Sequence, residues 1–85
     1  MKVWGKIRLG GRILRDAVAE AGDFGAAVRA VCEKFDLSKP VMLEKHKNEM
    51  ESFNLTVFLP EDFIEPVSFD SLEIENIVSD KQKHV

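Results

Sequence analysis

Two stretches at opposite ends of the chain alternate with the same period and carry opposite charge, and this constrains the fold more than any other feature. In KVWGKIRL, residues 2–9, Lys2, Trp4, Lys6 and Arg8 interleave with Val3, Gly5, Ile7 and Leu9. In SLEIENIV, residues 71–78, Glu73, Glu75 and Ile77 interleave with Leu72, Ile74 and Asn76. A period of two marks a strand with one buried face. Opposite charges on neighbouring strands contribute roughly 0.2–1 kcal/mol per pair, and like charges destabilise. The two strands are therefore expected to be sheet neighbours, with Glu73 and Glu75 near Lys6 and Arg8. Charge reversal at Glu73 and Glu75 is expected to lower stability more than the same change at Glu61 and Asp62.

The net charge of −3 conceals this polarity. Residues 1–15 hold Lys2, Lys6, Arg8, Arg12 and Arg15 and no acid, whereas residues 48–80 hold nine acids and no base. Such asymmetry marks either a partner surface or two chain ends that neutralise each other in the fold.

Gly10-Gly11 follows the first strand. The pair permits positive φ at both central positions of a two-residue hairpin loop. Residues 12–20 carry two periodicities: Ile13, Leu14, Ala17, Val18 and Ala21 recur at helical spacing, yet a hairpin through Gly10-Gly11 sets Leu9 opposite Arg12, Ile7 opposite Leu14 and Val3 opposite Val18. That register gathers the apolar partners on one face, although it also sets Lys6 opposite Arg15. The hairpin is the reading adopted here.

Past Gly22, Asp23 suits an N-cap, and Phe24, Val28, Val31, Cys32 and Phe35 form an amphipathic stripe that predicts a helix over residues 24–35. Pro40 fits the first turn of a second helix over residues 40–52, with Met42, Leu43, His46, Met50 and Phe53 along one face and Asn54 as its stop. LTVFL, residues 55–59, reads as a strand with Leu55, Val57 and Leu59 on one face. Pro60 ends it, and residues 61–69 form an irregular connection.

The order is therefore β-β-α-α-β-β. The expected fold is a small two-layer α+β domain over residues 1–78, an antiparallel sheet with two helices on one face, followed by a polar tail over residues 79–85. The expected core sets Phe24, Val28, Val31, Phe35, Leu43, Met50 and Phe53 against Val3, Ile7, Leu14, Val18, Leu55, Val57, Leu72 and Ile74. A chain of 85 residues buries only about 60% of its unfolded surface, so stability is thin and dimerisation would add to it.

Little in the sequence points to catalysis. Glu61, Asp62, Glu65, Asp70, Glu73 and Glu75 fall within fifteen residues, but no calcium-loop spacing is present and no glycine lies beyond residue 25. Two histidines, His46 and His84, and one cysteine, Cys32, do not make a zinc site. His46 shares a helical face with Met42 and Met50 and reads as a packing histidine. Cys32 reads as a buried hydrophobe. The P-loop, dinucleotide-binding and nucleophile-elbow motifs are absent. No cofactor and no metal are expected.

Lys2, Trp4, Lys6 and Arg8 share one face, and an aromatic among cations can stack a base and grip phosphate. The acidic pI of about 5.3 opposes nucleic-acid binding. Trp4 also fits a packed position against the core or helices, or an anchor at a protein contact. The expected function is a non-catalytic protein-interaction or regulatory module whose partner is another protein or a second copy of the chain. Its candidate contact residues are Lys2, Trp4, Lys6, Arg8, Glu61, Asp62, Glu65 and Asp70. A nucleic-acid-binding module using the basic strand is the alternative, and a small enzyme or enzyme subunit built on Cys32, His46 and the acids is a third. MKVWGKIRLGG lacks the apolar segment of a signal peptide, and no apolar run is long enough to span a bilayer, so the expected setting is the cytoplasm, with no membrane contact.

Overall fold

The computed structural model describes residues 1–77. Four strands form one antiparallel sheet: β1 (Lys2–Leu9), β2 (Arg12–Glu20), β3 (Leu55–Phe58) and β4 (Ser71–Asn76). Two helices, α1 (Phe24–Lys34) and α2 (Glu44–Phe53), follow the first hairpin, and a 3-10 turn (Pro60–Asp62) opens the connection from β3 to β4. The strand order is β2-β1-β4-β3, so the first and last strands lie side by side in the centre. This is the expected α+β architecture and element order, including the hairpin over residues 12–20. The last predicted strand position, residue 78, and the tail over residues 79–85 lie outside the described residues.

The hairpin turn carries positive φ at Gly10 (60°) and Gly11 (79°), the conformation that selected glycine there. The inner face of the sheet is built from Val3, Gly5 and Ile7 of β1, Ala17 and Ala19 of β2, Leu72 and Ile74 of β4, and Thr56 and Phe58 of β3. Against it lie Ala27, Val28, Val31 and Cys32 of α1 and His46 and Met50 of α2, all buried. Gly5 lets α1 approach closely: a Cβ built there falls 2.4 Å from Val31 Cγ1.

Several expected core positions point elsewhere. In β2 the register shifts between Ile7 and Arg8, which pair with Arg15 and Ile13 and leave Leu14 as the extra residue of a bulge. A bulge of one residue exchanges the two faces of the strand beyond it. Ala17 and Ala19 therefore turn inward, and Leu14 and Val18, expected in the core, are exposed. The bulge also sets Asp16 rather than Arg15 opposite Lys6, which removes the like-charge clash of an unbroken hairpin.

β3 has the expected period but the opposite phase. Thr56 and Phe58 are buried, while Leu55 and Val57 face outward. Thr56 can be buried because its hydroxyl donates to Glu49 Oε1 at 2.6 Å, and Phe58 then occupies the centre of the core. α2 begins at Glu44 rather than at Pro40. Leu43 is its extended N-cap and is exposed, and Phe53, at the other end, is 73% exposed. Asn54 stops the helix in the left-handed conformation, as expected (φ 57°).

Candidate functional site

The face of the sheet turned away from the helices holds the predicted basic strand. Trp4, Lys6 and Arg8 project there from β1, with Glu73 and Glu75 beside them on β4 and Asp16 and Val18 on β2. Trp4 is thus not packed into the core or under a helix. Its indole Nε1–H donates to Asp16 Oδ2 at 2.8 Å, and Lys6 Nζ sits 4.1 Å from its ring centroid. The same ammonium pairs with Glu75 Oε1 at 3.0 Å, and Arg8 pairs with Glu73. Lys6 is held between Trp4 and these acids until its side chain is only 7% exposed.

The ion pairs run diagonally. Lys6 lies directly opposite Glu73, and Trp4 opposite Glu75, but each cation reaches the carboxylate one step along its own face. The expected proximity of Glu73 and Glu75 to Lys6 and Arg8 is present. Two of the four predicted face residues therefore direct their charge to carboxylates of this chain, which leaves less of it for a phosphate ligand.

The acids of the β3–β4 connection are dispersed. Asp70 Oδ2 accepts the Gly10 N–H at 2.8 Å and fastens the connection to the hairpin turn. Glu65 Oε1 accepts the Ser38 hydroxyl at 3.0 Å. Asp62 is buried, and its Oδ2 accepts the Leu59 N–H at 2.8 Å. Glu61 is exposed. Three of these four carboxylates hold backbone or loop in place, and they do not converge on one spot.

A second Asp62 contact is one the sequence reading missed. His46, fully buried, stacks on Phe58 with ring centroids 4.3 Å apart, and its Nε2 lies 3.5 Å from Asp62 Oδ2. Its Nδ1 accepts the Leu43 N–H at 2.9 Å, so in the neutral ring the proton sits on Nε2. At 3.5 Å that proton makes no good hydrogen bond, and Nε2 is left without a partner among the described residues. The spacing that could have revealed this is local. Leu43 and His46, and again Leu59 and Asp62, stand three residues apart, and in both the later side chain reaches back to the N-cap N–H as in half of a capping box. Placing the helix start at Pro40 hid it.

The remaining nucleophile is masked. Cys32 is buried in α1, and desolvation pushes its thiol up to about 11, only partly offset by Lys39. A thiolate is not available near neutral pH. Among the described residues no three His, Cys, Asp or Glu side chains stand close enough to share a metal ion. A cleft of about 600 Å³ runs between the start of α1 and α2, and Met1, Phe24, Met42 and Met50 supply the apolar part of its lining. No described helix is long and apolar enough to cross a membrane. Comparison of this chain with protein-family models, curated proteins and solved structures gives no match.

Proposed function

We propose that this chain is a non-catalytic protein-interaction module whose contact surface is the open face of the sheet around Trp4. The observation that carries the reading is the company of that tryptophan. Trp4 is half-buried on a face no helix covers, Val18 stands exposed directly across from it, and Ile13 lies exposed farther along β2. A half-buried tryptophan with an exposed apolar cross-strand neighbour, set among charges already paired within the chain, suits an anchor at a protein contact. Lys6 packed on the indole holds the ring in place before a partner arrives, which lowers the ordering cost of binding.

The nucleic-acid alternative draws less support, since Lys6 and Arg8 already answer Glu75 and Glu73. The enzyme alternative has a buried His46 and Asp62 but a protonated Cys32 in the core. The setting in this reading is the cytoplasm, supported by the single free, buried cysteine.

The test is retention of partners by the tagged chain in its native host. Val18→Glu and Trp4→Ala are expected to release proteins that the unchanged chain and Arg29→Glu, an exposed α1 position, both retain. Identical partners in all four preparations, each folded by circular dichroism, would contradict the reading.

A further inference from the structure

A second surface lies at the edge of the sheet. Asn76 N–H donates to the Asn54 carbonyl at 2.7 Å. Antiparallel ladders alternate, so Thr56 and Phe58 exchange bonds with β4, and Leu55 and Val57 turn their N–H and C=O groups to the open side. Among the described residues no other hydrogen bond reaches those four groups. Natural edge strands are blunted by charge, proline or a bulge. β2, the opposite edge, has a bulge and four charged residues, and its outward Val18 carbonyl already accepts from Lys34 Nζ at 2.8 Å. β3 is short, at four residues, but LTVF carries no charge, no proline and no register shift.

Beside this bare edge runs a groove of about 350 Å³. Lys45, Glu49 and Phe53, one stripe of α2, form one wall, and Thr56 and Leu59 stand on the other. Phe53 and Leu59 are both exposed. Glu49 is half-buried, takes the Thr56 hydroxyl, and has no ion-pair partner among the described residues.

We infer that the β3 edge and its groove take an extended apolar peptide segment of a partner protein, carrying one lysine or arginine, as a fifth strand of the sheet. Main-chain bonds to Leu55 and Val57 supply the pairing, and alternate side chains enter the groove, where Phe53 and Leu59 meet apolar groups and Glu49 meets the cation. A second copy of this chain fits less well. The two-fold pairing that satisfies all four free groups sets Leu55 against Val57 of the other copy and Thr56 against Thr56, and so brings two Glu49 carboxylates together. The inference rests on the reading of the chain as a protein-interaction module, but it concerns a different surface.

The test is selection of a displayed random nine-residue peptide library on the whole chain, followed by amide NMR with the enriched peptides. Expected are peptides of alternating apolar residues with one lysine or arginine, amide shifts centred on Leu55 and Val57, loss of binding in Val57→Pro, and an about tenfold smaller preference for the basic residue in Glu49→Gln. Val57→Pro removes an outward N–H and no ladder bond, and Glu49→Gln keeps the acceptor for Thr56, so both are expected to fold. No enrichment over an unrelated bait, or shifts centred elsewhere, overturns the inference. Shifts at Leu55 and Val57 on raising protein concentration alone overturn it in favour of self-pairing. If peptides fail here while Val18→Glu still releases host partners, the edge inference falls and the module reading stands.

Discussion

Gly5 is the residue on which the packing of the two layers turns most sharply. It sits in the central strand with Val31 of α1 pressed against its backbone. Gly5→Ala needs Val31 to move, and Val31 is β-branched and held in a helix, so little relief is available. The expected cost is about 1–3 kcal/mol in urea denaturation, despite the better strand propensity of alanine. Gly5→Ala in a Val31→Ala background should cost less than in the parent. Cys32 gives the residue scale a pH signature. Its thiol is raised from 9.0 to about 11 in the folded chain. Above pH 9 the unfolded chain loses this proton first, so between about pH 9 and 11 the unfolded state binds fewer protons and stability falls as pH rises. Below pH 9 the group contributes no slope. Denaturation at pH 8 and pH 10.5 on the parent and Cys32→Ala checks this: the parent should lose more stability over that interval.

At the scale of elements, the connections are built from short polar reaches. Leu43 N–H to His46 and Leu59 N–H to Asp62 fix the starts of α2 and of the 3-10 turn, and the Asp62 carbonyl accepts the Val41 N–H at 2.8 Å. His46 then lies over Phe58 and joins α2 to β3. Asp62→Ala is expected to cost about 1–2 kcal/mol through its lost cap, and His46→Ala about 2–4 kcal/mol through its cavity, while Glu61→Ala stays within about 0.5 kcal/mol. Equal losses at Asp62 and Glu61 in thermal unfolding would contradict the assignment. Asp62 and Glu61 differ in the sequence only by their spacing from Leu59: Asp62, three residues on, reaches back to the Leu59 N–H and is buried, and Glu61 stays wet. The elements themselves were largely legible. The alternation of β1 and β4, the glycine turn and the α1 stripe are local patterns, and local patterns survive in the fold. The faces of β2 and β3 were not, for two physical reasons. A one-residue bulge at Leu14 has no sequence mark and inverts everything after it. The phase of β3 depends on Glu49 reaching Thr56 from another element, so a polar residue took the position that Leu55 or Val57 was expected to fill. The open face was half legible: Lys6, Arg8, Glu73 and Glu75 were readable from charge and period, but Asp16 as the partner of Trp4 required the bulge.

For the whole molecule, the polarity of charge along the chain is resolved inside the fold. Strand order β2-β1-β4-β3 brings residues 2–9 against 71–76, and the basic N-terminal strand meets the acidic C-terminal one in the middle of the sheet. The cations of β1 thus serve first to hold the two ends of the chain in register. In the proposed reading, a partner would meet Trp4 and Val18 on the open face and the edge of β3. A crossed charge reversal in urea tests this use of the charges most directly. Asp62, expected to be as neutral a reference as Glu61, is buried and caps the Leu59 N–H, so Glu61 alone serves. Glu73→Lys with Glu75→Lys is expected to cost about 1–3 kcal/mol, against about 0.5 kcal/mol or less for Glu61→Lys, and adding Lys6→Glu with Arg8→Glu should return part of the loss. An effect of Glu73→Lys with Glu75→Lys no larger than that of Glu61→Lys, with no recovery in the fourfold variant, would contradict the account.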